Sequence, residues 1–453
     1  MKRSVQFIIF LVVLLTLISV SVVSAQNRSR SYIVLGVNET GISPQVMTQA
    51  RNSGGRVVFN FAQIGASVVT TSDPNFASRM RAQGFTVAPN RILRNYEPLR
   101  MVVGSATPQA AGGASNPLFI IQWSLDAVRA TEGWVEGRRG AGAQVAVLDE
   151  GFYLDHPDLN DNFNTTLAAS FVPGEGVYWS NPKAVTLNDR FSHGTHVSGI
   201  IASEDNTIGT VGVAPEAEII PVKVLSESLG FGEDSWVLAG MLYAAAIRVD
   251  VVNMSLGGIC EKTDPECVAI KRVYDRVVKF MNRQGVTVIA SAGNSEIDFD
   301  ANRNLIDLPA MADGVLGISA TGPLGWAVYP AADPRRPASY SNYGRVIVDF
   351  AAPGGDFALP GEDLCTVGIV AGVPCWVFDM VISPSIVFGG FAYNSWAAGT
   401  SMAAPHVSGI AAQIIGANGG SMNPNQVERQ LRRYAERLNP RAFYGNGFAR
   451  AND

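Results

Sequence analysis

The sequence predicts an α/β fold: a doubly wound, mainly parallel sheet flanked by helices, preceded by a small α+β unit. Three observations point there. From about Pro117 onward, short apolar runs alternate with stretches of helical character, the order that builds βαβ units. Those runs are nearly continuous in apolar residues, as strands buried on both faces require. Upstream, a shorter α+β rhythm is set apart by a stretch rich in Ala, Gly, Ser, Thr and Pro.

In chain order, Lys2 and Arg3 precede an apolar run from Phe7 to Val23, followed by Ser24, Ala25 and Gln26. A basic start, an apolar middle and small residues before the cut form a secretory signal peptide, residues 1–25, cleaved after Ala25. An uncleaved anchor is the alternative, and Thr16, Ser19 and Ser21 weaken it. The expectation is a secreted, extracellular protein with no stable membrane partner after cleavage. Residues 26–97 read as a small α+β unit, with strands at 32–35, 56–61 and 66–70 and helices at 44–52 and 75–83. Residues 98–116 form a linker, and 101–116 reads as flexible. The main domain, 117–453, has strands expected at 144–149, 219–225, 249–255, 286–291, 315–319 and 346–350. Helices are expected at 195–203, 235–248, 268–284 and 401–416. Active sites in such sheets lie at the carboxyl ends of the strands.

Composition excludes several classes. Only 16% of the 453 residues are charged, against about 25% in ordinary domains, so a disordered solvating chain is ruled out. The net charge of −5 and the lack of a Lys/Arg block argue against nucleic acid as a partner. Four Cys and four His are too few for a zinc array. In an exported chain the cysteines pair. Three connectivities are possible, and two local bridges, Cys260 with Cys267 and Cys365 with Cys375, are the simplest; free buried thiols are the alternative.

Three polar residues stand where the strand rule says to look. Asp149 closes a buried apolar strand, where an ionised carboxylate is costly unless paired. His193 opens a helix in Ser192-His-Gly-Thr-His-Val-Ser-Gly, where the positive dipole end favours a neutral imidazole. His196 lies three residues on, but no further metal ligands have the usual spacing. Ser401 lies in Gly399-Thr-Ser-Met-Ala-Ala-Pro-His, with Pro405 read as a tolerated first-turn proline. A serine at a helix start is ordinarily a cap. Together, however, the three supply a nucleophile, its base and the carboxylate that orients the base.

Their order, Asp149, His193, Ser401, and the residues around them resemble the subtilisin-like serine proteases (subtilases). Val145-Ala-Val-Leu-Asp-Glu-Gly matches the aspartate motif, with Glu150 where the family usually has Ser or Thr. The His193 and Ser401 motifs match in full. The resemblance implies a serine endopeptidase acting through an acyl-enzyme on Ser401, with Asn294 in the oxyanion hole. The alternative is a catalytically silent binding protein on the same scaffold. It also implies a substrate cleft: Ser255, Leu256 and Gly257 as one strand, Gly230, Phe231 and Gly232 as the other, and Ala292 and Gly293 in the far pocket wall. Residues 26–97 resemble the family's propeptide, an intramolecular inhibitor and folding helper removed by a self-inflicted cut between about Leu99 and Pro117. Substrates are then proteins or peptides, and the mature enzyme a monomer. A structural Ca²⁺ is implied at Asp158, Glu204, Asn206, Ile208 and Thr210, with Asn116 and Phe119 flanking the place of a further ligand; catalysis itself needs no cofactor. His156 and His406 are read as structural. The stretch 357–384 exceeds a minimal family member and reads as a disulfide-closed surface loop.

Overall fold

The computed structural model describes residues 29–37, 40–95, 100–106 and 116–453. The expected signal peptide and most of the expected linker lie outside these residues.

The amino-terminal unit runs β1 (Arg30–Leu35), α1 (Pro44–Asn52), β2 (Arg56–Phe61), β3 (Ala66–Thr71), α2 (Phe76–Ala82) and β4 (Thr86–Pro89). The strands form an antiparallel sheet ordered β2-β3-β1-β4. Ser43 caps α1 and Pro44 starts it, both visible in the sequence. Two further strands follow: β5 (Ile92–Asn95) and β6 (Arg100–Ala106). The second corrects an expectation, because residues 101–106 were to be flexible linker. Their order comes from backbone pairing to another strand, which side-chain composition does not report.

The main domain opens with β7 (Gln144–Asp149), β8 (Ala169–Ser170), the helix α3 (His193–Ala202), β9 (Glu218–Lys223), β10 (Gly232–Glu233), α4 (Asp234–Ile247) and β11 (Val251–Met254). It continues with β12 (Leu256–Glu261), α5 (Pro265–Arg283), β13 (Thr287–Ser291), β14 (Leu305–Leu308), β15 (Val315–Thr321) and β16 (Phe350–Pro353). A seven-stranded sheet, ordered β16-β15-β13-β11-β7-β9-β8, is parallel throughout. Alternation along β7 shows why its strands are apolar on both faces. Val145 and Val147 enter one core with Val197 of α3, while Ala146 and Leu148 enter the other with α4 and α5. The last expected strand is displaced: residues 345–347 form a turn, the N–H groups of Ile347 and Val348 close on the carbonyl of Gly344, and strand pairing starts at Phe350, opposite Ile318.

Then come the hairpins β17 (Leu364–Val367) with β18 (Val370–Pro374), and β19 (Val381–Phe388) with β20 (Phe391–Ala398). The first is closed by Cys365–Cys375; the other bridge is Cys260–Cys267. Helix α6 (Thr400–Ala417), almost wholly buried, carries Ser401. Among the described residues, no helix is long and apolar enough to cross a membrane.

Candidate active site

Asp149 is the last residue of β7 and fully buried. Its Oδ1 accepts the Glu150 N–H at 2.8 Å. Both its oxygens face the Nδ1 of His193, at 2.8 and 2.9 Å. A buried carboxylate in this position fixes the imidazole with Nδ1 protonated and leaves Nε2 as the basic nitrogen.

His193 is the first residue of α3. Ser192 caps the helix, accepting the Thr195 N–H at 3.1 Å and donating its hydroxyl to the Gly151 carbonyl at 2.7 Å. That second bond ties the helix start to the loop following Asp149. Gly194 is required by packing, since a Cβ there would sit 2.8 Å from the Phe152 ring and 3.0 Å from the Gly151 oxygen. Glu150 accepts the backbone N–H of His193 at 2.9 Å. It therefore holds an otherwise unpaired amide of the first turn, a role its motif position alone did not reveal.

Ser401 is the second residue of α6. It is laced to Ser255, which follows β11: its hydroxyl donates to the Ser255 carbonyl at 3.3 Å, and the Ser255 hydroxyl donates to the Ser401 carbonyl at 2.9 Å. Pro405 explains the second bond. It lies six residues into α6 rather than in the first turn, and its missing N–H would have served the Ser401 carbonyl. Ser255 supplies the donor instead.

Asn294 follows β13. Its side-chain oxygen accepts the Thr400 N–H and hydroxyl, each at 2.8 Å, which turns Nδ2 outward as a donor. A Cβ at residue 399 would come within 3.2 Å of that nitrogen, so glycine there avoids crowding it. Gly293 donates its N–H to the Thr400 hydroxyl at 3.0 Å. Thr400 thus braces this whole corner; a threonine beside the serine was the available signal.

The cleft is already occupied by the chain itself. Strand β5 lies antiparallel to β12, with Asn95 opposite Leu256 and Arg94 opposite Gly257. On its other edge Leu93 and Ile92 oppose Gly232 and Glu233. The second cleft strand is therefore 232–233, not 230–232: Gly230 sits in a turn at φ 72°, and its carbonyl accepts from Arg94 Nη1 at 2.9 Å. Leu93 is buried, its side chain 3.0 Å from where a Cβ on Gly258 would be.

The other histidines stand apart from this corner. His196 Nε2 bonds the Ser395 carbonyl at 2.9 Å, His406 Nδ1 the Met402 carbonyl at 2.7 Å, and His156 Nε2 the Tyr393 carbonyl at 3.3 Å. Burial pushes His196 down to about 3, and His156 and His406 to about 4, so all three are neutral near pH 7. Among the described residues no three His, Cys, Asp or Glu side chains gather as a metal cluster.

The expected calcium loop does not fit a cation as folded. The carbonyls of Glu204, Ile208 and Thr210 converge on one atom, Asn116 Nδ2, at 2.8, 2.5 and 2.6 Å. Asn116 Oδ1 accepts the Thr207 N–H at 2.9 Å, which fixes the amide's orientation. Asn206 Oδ1 is used by the Ile208 N–H, and Asp158 Oδ2 by the amide and hydroxyl of Thr210. Of the side-chain oxygens expected to bind the cation, Asp158 Oδ1 is buried without a partner among the described residues. A cation at the carbonyl focus would have to expel the Asn116 amide. An asparagine flanking the expected ligand position was visible in the sequence; its place at the focus was not.

Comparison with known proteins adds the following. Residues 140–447 match the model of the subtilase family. Subtilisin NAT of Bacillus subtilis subsp. natto is 33% identical over 329 residues, 72% of this chain and 68% of that protein. The subtilisin of Bacillus pumilus is 33% identical over 327 residues, 72% of this chain and 96% of that one. Among solved structures, the epidermin leader peptide processing serine protease of Staphylococcus aureus superposes with a TM-score of 0.69 at 21% identity, covering 93% of this chain and 97% of that chain. A lanthipeptide protease gives 0.55 at 26% identity, covering 74% and 92%.

Proposed function

The chain belongs to the subtilase family and is a serine-type endopeptidase, and on that premise we propose how its residues divide the work. Ser401 attacks the peptide carbonyl while His193 Nε2 takes the hydroxyl proton. Asp149, bonded to Nδ1, holds the ring and stabilises the imidazolium. The Nδ2 of Asn294 and the Ser401 N–H donate to the oxyanion; loss of one such donor typically costs ~10²–10³ in turnover. His193 then protonates the leaving amine, and water, deprotonated by the same nitrogen, hydrolyses the acyl-enzyme. No step needs a cofactor.

The observation that carries this reading is β5, which lies in the cleft as a substrate would, an extended strand between two others. It also supports residues 26–97 as an inhibitory propeptide. Strand β5 ends with Asn95 opposite Leu256, the neighbour of Ser255, whose carbonyl takes the Ser401 hydroxyl. On that register the first cut falls just beyond the end of β5, earlier than the interval expected from the sequence. Export rests on the basic-apolar-small pattern of residues 1–25, and the two disulfides agree with an oxidising compartment.

Purified protein is expected to take up a serine-directed phosphonate at Ser401 and to cleave casein. Ser401→Ala is expected to accumulate uncut with residue 26 at its amino terminus. Unlabelled Ser401, or a Ser401→Ala chain that still digests casein, would overturn the assignment.

A further inference from the structure

Strands β5 and β6 are both seated on the domain that carries the nucleophile. Strand β5 pairs with β10 and β12, whereas β6, seven residues long, pairs antiparallel with β20: Arg100 opposite Ala398, Met101 opposite Ala397, Val102 opposite Trp396, Val103 opposite Ser395 and Ala106 opposite Tyr393. Strand β20 ends three residues before Ser401. Its other edge is taken by β19, so β6 covers the edge of β20 that the hairpin leaves open. The pairing includes side-chain seats. Val102 packs on the core that contains Trp396, and Val103 on the cluster of Tyr153, Trp179 and Ile386. At Gly104 the main chain comes so close that a Cβ would meet the Asn394 carbonyl at 2.8 Å.

We propose that the open edge of β20 is a docking strand for the leaving side of a polypeptide substrate. An extended chain continuing past the cut bond adds to β20 as a β-strand for about seven residues, preferring apolar residues at the Val102 and Val103 positions and glycine at the next. This rests on the serine endopeptidase reading and adds to it the substrate class: long, unfolded polypeptide rather than short peptide. The occupant is argued from continuity, because the segment now on β20 is joined in sequence to the strand that fills the cleft, with four residues, 96–99, between them. After a first cut in that gap, residues up to 106 stay tethered to the domain through 107–116 and hold the edge at high local concentration. The edge opens to substrate once that arm is severed.

The test uses the full chain with a recognition site for an unrelated specific protease placed in 107–112, so that the arm can be released after self-processing. Two peptides carry residues 91–98 and 91–106 of this chain, and two more carry 91–106 N-methylated at alternate residues from 100 onward, in either phase. On the released enzyme, kcat/KM for the long peptide is expected to exceed that for the short one by about tenfold or more, as a few added main-chain hydrogen bonds would give. One phase of N-methylation is expected to abolish the gain. Equal kcat/KM for long and short peptides would overturn the docking strand and leave the peptidase reading intact. Failure to cut either peptide, with Ser401 unlabelled, would overturn both.

Discussion

Glu150 shows how one residue can depart from a family motif and still serve the site. Its carboxylate takes the His193 N–H at 2.9 Å, so the helix that carries the base is held at its first turn. Glu150→Ala is expected to lower kcat/KM by about tenfold, the worth of one charged hydrogen bond, and to shift the pH-rate profile. Glu150→Gln, which keeps an acceptor, should restore most of the rate; an unchanged profile in the alanine variant would argue against the positioning role. Asn116 is the second such residue. With its amide at the carbonyl focus, chelator is expected to leave the melting temperature of the parent unchanged, while Asn116→Ala loses about 2–4 kcal/mol through unpaired carbonyls. A large chelator effect on the parent would return a cation to that loop. The neutral histidines make a spectroscopic prediction: their folded-state values lie below the free imidazole value, so His156, His196 and His406 keep neutral-ring NMR shifts as pH falls from 7 to about 5. Shifts that move near pH 6.5 would contradict their burial.

At the scale of elements, the strands and helices that bear the motifs were legible because their patterns are local. Helix α1 and strand β2 match their expected bounds, and the four long helices of the main domain begin within three residues of expectation. What was not legible depends on partners distant in sequence. Strand β6 carries no distinctive pattern and exists through its pairing with β20, some 300 residues away. The displaced strand at 350–353 reflects a competing turn at Gly344. The junction before β5 is equally non-local. Arg91 donates to Asp234 through its backbone N–H at 3.0 Å, Nε at 2.9 Å and Nη2 at 3.2 Å, and Tyr274 donates to the same fully buried carboxylate at 2.8 Å. Arg91→Ala leaves that carboxylate without its cation, a change typically costing ~3–5 kcal/mol. Inhibition of the mature enzyme by an added 26–96 segment is expected to weaken at least ~100-fold; an unaltered inhibition constant would show that the pair contributes little to binding.

At the scale of the whole molecule, the amino-terminal unit and the main domain share a core. Ile33, Leu35, Phe61 and Val68 of the first lie in one apolar cluster with Val237, Ile270 and Val273 of the second. A parallel sheet whose neighbouring strands are far apart in sequence folds slowly, and this cluster offers α4 and α5 an apolar face to form against. A chain beginning at 116 is expected to refold poorly alone and to recover activity when the 26–96 segment is added; equal recovery without it would remove the helper role. The sequence anticipated two units through their change of rhythm, but not the shared core, since an apolar residue does not declare which unit will cover it. Asn116 bears finally on how the enzyme ages. A protease among copies of itself is trimmed from its amino-terminal end, and trimming runs through residue 115 before it reaches Asn116, which holds the loop at 204–210. Loss of one residue more unseats three carbonyls together. The working lifetime in a concentrated preparation would then end in a step, when trimming passes residue 116, rather than in gradual decline.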